Sequence, residues 1–133
     1  MRRLAAVLAL LGGFAATATA EAKPLVRYDV GGGLAGLGAT LIVAGDGDAA
    51  QSGTRRGDDH RFTLSAKQLR GLRRDLRNAR FKTLKRSYRP KAIVNDGIEQ
   101  SVTYRGRSVA VSTGARYPER LHRLLRRLDR LLR

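Results

Sequence analysis

SVTYRGRSVAVSTGARYPERLHRLLRRLDRLL, residues 101–132, reads as two short strands around a glycine turn, followed by one amphipathic helix. Val102 and Tyr104 alternate with polar neighbours before Gly106, and Val109 and Val111 do so after it. Period two marks a half-buried strand, and so short a glycine-containing connection makes the pair a β-hairpin. Pro118 stands where a first-helical-position proline belongs, since the amide hydrogen it lacks would find no helical partner there. Leu121, Leu124, Leu125, Leu128, Leu131 and Leu132 then recur at helical spacing, with Arg120, Arg123, Arg126, Arg127, Arg130 and Arg133 between them. Hairpin and helix each have one apolar side to bury, so they must cover one another.

The same logic extends towards the N-terminus. Ser65 is a good N-cap, Gln68 completes a capping box, and Leu64 and Leu69 are placed for a hydrophobic staple. Leu69, Leu72, Leu76 and Ala79 continue a helical stripe, Gly71 weakens that helix without ending it, and Phe81 and Leu84 close the same core. Residues 85–97 read as irregular, with a turn at Asn95-Asp96-Gly97 and room for a short strand at Ala92 to Val94. Upstream, strands are expected at Leu25 to Val30, Thr40 to Ala44 and Arg61 to Leu64. Gly45 to Asp59, with four glycines and four aspartates, reads as a loop or hairpin tip. The expected order is β-β-β-α-(β)-β-β-α, an α+β domain with a mostly antiparallel sheet and two helices packed on one face.

Length and charge narrow the function. The 133 residues suffice for one domain, and 27 Lys plus Arg against 11 Asp plus Glu give a net charge of +16. With no cysteine, disulfides, thiolate metal sites, cysteine nucleophiles and lipid-modified N-terminal cysteines are excluded. Arg2 and Arg3, the apolar run Leu4 to Phe14 and the small-residue pattern Ala18-Thr19-Ala20 read as a secretory signal at 1–20, leaving one domain at 21–133. The expected location is secreted, periplasmic or cell envelope. Removing that signal takes away two arginines and no acid, so the excess positive charge belongs to the domain.

Chemical motifs are few. Gly31-x-Gly33-x-x-Gly36 has dinucleotide-binding spacing, but the mechanism needs a helix N-terminus directly afterwards, and β-rich Thr40 to Val43 follows. A tight glycine connection fits better, as does an exposed interaction loop in which Leu34 and Leu37 offer apolar contacts. His60 and His122 are the only histidines and lack zinc-ligand spacing; His60 beside Asp58 and Asp59 makes at most a weak metal patch. No serine sits in a nucleophile elbow, and Asp96 with Glu99 is not joined by a second acidic cluster. No enzyme, cofactor or metal is expected. Arg70, Arg73, Arg74, Arg77, Arg123 and Arg127 are candidate contacts to an anionic polymer or lipid surface, or simply a solvated coat. Nucleic acid is disfavoured by the expected export and by the scarcity of free aromatics for base stacking.

Three features together resemble the emfourin family of small proteins that inhibit thermolysin-like metalloproteases. They are a strand entering Gly32-Gly33-Leu34-Ala35-Gly36; Leu64-Ser65 with the Leu69/Leu72/Leu76 helix and Ala79-x-Phe81; and Asp96 before Val102-Thr103-Tyr104, Val109-Ala110-Val111, Pro118 and the leucine-rich helix. The likeness covers most of residues 25–132. It implies an α+β domain that binds an extracellular or periplasmic metalloprotease without catalysis, with Gly32, Gly33, Leu34, Ala35 and Gly36 as the candidate contact. Leu34 departs from the aromatic residue common there, and the signal, the enlarged 45–61 loop and the extreme charge depart as well.

Overall fold

The computed structural model describes residues 23–34, 36–54 and 59–132. The segment expected to be a signal, Ala35 and Asp58 therefore lie outside the described residues. Among the described residues seven strands and two α-helices follow in order: β1 Pro24–Gly32, β2 Leu37–Ala44, β3 Asp48–Gly53, β4 His60–Thr63, α1 Ala66–Asn78, β5 Ser87–Tyr88, β6 Ile98–Tyr104, β7 Arg107–Ser112 and α2 Glu119–Leu131. The strands form one sheet in the order β4-β3-β2-β1-β6-β7-β5. All neighbours are antiparallel except β5, which lies parallel to β7. The α+β class, the mostly antiparallel sheet and the two helices on one face are as expected.

One face of the sheet carries the core. Val26 and Tyr28 of β1, Leu41 and Val43 of β2, Val102 and Tyr104 of β6, and Val109 and Val111 of β7 all point to it. Leu72 and Leu76 of α1 and Leu121, Leu124, Leu125 and Leu128 of α2 close it from the other side. Period two on the strands thus meets the helical stripe of leucines, as the alternation requires.

Three local expectations change. The stretch 45–59 holds a fourth N-terminal strand, β3, whose sequence Asp-Ala-Ala-Gln-Ser-Gly has no large apolar residue. Its hydrogen bonds to β2 and β4 hold it, with only Ala49 and Gln51 buried. Ala92 to Val94 forms no strand. The short strand is Ser87–Tyr88 instead, where Tyr88 packs near Tyr117 and the Arg86 carbonyl accepts from the Ala110 amide at 2.9 Å. Pro118 is the N-cap rather than the first helical residue: its ψ of 144° is extended, and its carbonyl accepts from the Leu121 and His122 amides. Gly31, Gly33 and Gly36 belong to a β-hairpin, with β2 where a dinucleotide site needs a helix, in line with the tight glycine connection expected there.

The helices are fastened by arginines. Arg120 of α2 donates from Nε to the Ala79 carbonyl at 3.0 Å, satisfying the end of α1. Arg127 pairs with Asp75, both largely buried. Its guanidinium lies over Gly71, where an added Cβ would stand 2.6 Å from Nη1. That buried glycine is therefore the space the ion pair occupies. A third fastening joins helix to sheet: the fully buried Tyr28 donates its hydroxyl to Asp129, and Gln100 Nε2 donates to Tyr28 Oη at 2.7 Å. Burial, then the adjacent Asp129 carboxylate, pushes the Tyr28 phenol well above its ordinary range.

Candidate functional site

The turn joining β1 and β2 is built on glycine. Gly32, Gly33 and Gly36 have φ of 113°, 78° and 58°, values that favour glycine. At Gly32 a side chain is also excluded by space, since a Cβ would meet the Gly97 carbonyl oxygen at 2.6 Å. The close approach ties this turn to the segment before β6. The Gly33 amide donates to the Gly97 carbonyl at 3.2 Å, and the Leu34 amide donates to Asp96 Oδ1 at 2.6 Å. Two loops distant in sequence are thereby held as one surface.

That surface is apolar. Among the described residues the exposed large hydrophobic side chains are Leu34, Leu37, Ile93, Val94 and Ile98, and all five lie on these two loops or the strand ends beside them. Leu34 is 89% and Ile93 94% exposed, so neither contributes appreciably to the core. Leu37 and Ile98 flank Gly32 in the sheet register. Their row has the parity of the core-facing residues but lies beyond Val30 and Gln100, the last row tied to α2. Leu37 and Ile98 are left 41% and 48% exposed. Ile93, Val94 and Ile98 also line a hollow of about 330 Å³.

Of the residues singled out in the sequence, Gly32, Gly33, Leu34 and Gly36 are at this pole, and Asp96 supports them. Ile93, Val94 and Ile98 are not recognisable as contact residues from the sequence, because Ala92 to Val94 reads as a possible short strand and their proximity to Leu34 depends on the β1–β6 pairing. The Asn95-Asp96-Gly97 turn was the available signal.

The candidate arginines divide. Arg74, Arg123 and Arg127 line a groove of about 390 Å³ between α1 and α2, joined there by Arg120, Arg126 and Arg130. Arg127 is committed to Asp75, while Glu119 lies 3.6–3.7 Å from Arg123 and Arg126 across exposed pairs that contribute little. Arg73 donates to the Gly45 carbonyl, Arg70 is exposed, and Arg77 lies by a separate pocket at the end of α1.

Among the described residues no group of three His, Asp or Glu side chains is placed to hold a metal ion, and no helix is long and apolar enough to cross a membrane. His60 stacks near Phe62, and His122 packs against Tyr117. The sequence matches no protein-family model and no curated protein.

Proposed function

We propose that the protein is an exported, non-catalytic domain that presents its two-loop apolar pole to the cleft of a thermolysin-like metalloprotease and inhibits it. The observation that carries this reading is the confinement, among the described residues, of the exposed large hydrophobics to two loops and the strand ends beside them, the loops being fixed by the Gly33–Gly97 and Leu34–Asp96 hydrogen bonds. A preorganised apolar tip binds without first losing loop entropy, and a cleft is the complementary shape. The positive charge would steer approach to an acidic protease surface.

The test is titration of the purified mature domain against a panel of thermolysin-like enzymes. Saturable inhibition is expected, weakened at least tenfold, or about 1.4 kcal/mol, by Leu34→Asp. That variant should leave the melting temperature unchanged, because Leu34 is 89% exposed. A panel left untouched at micromolar protein would overturn the reading.

The groove between α1 and α2 supports a second reading, a basic module that binds anionic polymer or lipid surfaces of the cell envelope. It requires binding to anionic vesicles or polymer that falls steeply with salt and ignores Leu34→Asp.

A further inference from the structure

The backbone has positive φ at just two non-glycine residues among those described, and both are arginines beside one pocket. Arg80, at φ 51° and ψ 62°, follows Ala79, the C-cap of α1, at the position where a left-handed residue is usually glycine. Arg105, at φ 49°, opens the two-residue turn between β6 and β7, where asparagine or glycine is usual. The pocket between them has a volume of about 360 Å³, within the range of small-molecule sites.

Its floor is aromatic. Phe81 and Tyr104 meet edge to face at 5.3 Å, and Leu76 extends the apolar base. Its walls are cationic: Arg77, Arg80, Lys82, Arg105 and Arg107. Among the described residues no carboxylate is within ion-pair distance of these five. Arg105 leans over the Tyr104 ring at 5.2 Å. Arg107 spends Nη2 on the Leu84 carbonyl at 2.7 Å, and its buried Nε has no hydrogen-bond partner. Uncompensated cations around an apolar floor, two of them held on strained backbone, are not accounted for by packing, and such strain gathers at functional sites.

We infer that this pocket binds a small amphiphilic anion, a phosphate or carboxylate head on a flat aromatic body. The body would lie on Phe81 and Tyr104, and the head would face the guanidinium groups, whose planar donors match such oxyanions. The site is separate from the apolar pole, so it stands or falls independently of protease inhibition.

The experiment uses the mature protein with 1-naphthyl phosphate, 1-naphthol and inorganic phosphate as probes, read by calorimetry and by amide chemical shifts. Saturable binding of naphthyl phosphate is expected, at least tenfold tighter than either fragment, with shifts centred on residues 77–84 and 104–107. Arg80→Gly and Arg105→Gly should each raise the melting temperature while weakening naphthyl phosphate at least threefold. A purely structural role for these arginines would not produce those opposite signs. Equal binding of 1-naphthol or of inorganic phosphate, shifts centred on the α1–α2 groove, unchanged affinity in both variants, or no saturation at millimolar probe would each overturn the proposal.

Discussion

Gly71 looks like a flaw in α1 when read along the helix, because glycine in a helix interior is about 1 kcal/mol worse than alanine. Across the helices it makes room for the Arg127 guanidinium and so for the pair with Asp75. The two roles can be separated by a double-mutant cycle. In the Arg127→Ala background, Gly71→Ala should gain about 1 kcal/mol of stability from helix propensity. In the native background it should lose about 1 kcal/mol, because the new methyl pushes Arg127 off a largely buried carboxylate. Urea unfolding of the four proteins checks this, and an equal effect of Gly71→Ala in both backgrounds would refute it. The glycine was plain in the sequence, but its reason was not, since the reason lies on another helix.

At the scale of elements, legibility follows the size of the side chains. Both helices were readable because large leucines recur at helical spacing, and α1 also announced its start. The capping box is present as expected: the Gln68 amide donates to Ser65 Oγ at 3.1 Å, and the Ser65 amide donates to Gln68 Oε1 at 2.8 Å. Ser65→Ala should therefore cost about 1 kcal/mol, with Ser65→Asp restoring most of it, measured by the urea midpoint. β6 and β7 were readable because β-branched and aromatic residues alternate there. β3 was not, since alanine, glutamine, serine and glycine have weak strand preference and are drawn into the sheet by neighbours on both sides. The candidate site shows the same division. Its glycine turn was visible along the chain, whereas the partner loop with Ile93 and Val94 became part of it only through β1–β6 pairing.

Across the whole molecule, the Tyr28–Gln100–Asp129 contact joins the central strand, its neighbour and the last helix. Because the folded Tyr28 phenol titrates above its unfolded value near 10, its contribution is complete below about pH 10 and declines as pH rises further. Tyr117, also raised, first by burial and then by Asp129, adds to the same decline. Tyr28→Phe should lower stability at pH 7 by about 1 kcal/mol. It should also make the fall above pH 10 shallower by about 1.4 kcal/mol per pH unit. Denaturant titrations at pH 7, 10 and 11 measure both, and identical alkaline slopes for variant and native protein would exclude the coupling. The central position of β1 bears on folding order as well. It is the first described strand in the chain, and it pairs on one side with the adjacent β2 but on the other only with β6. A chain emerging from its N-terminus therefore completes β1 to β4 and α1 while the remaining edge of β1 is still unpaired. That edge waits for Ile98–Tyr104, so the closing of one long loop is the step expected to limit folding, and the interval before it is when an unpaired strand edge is open to other nascent chains.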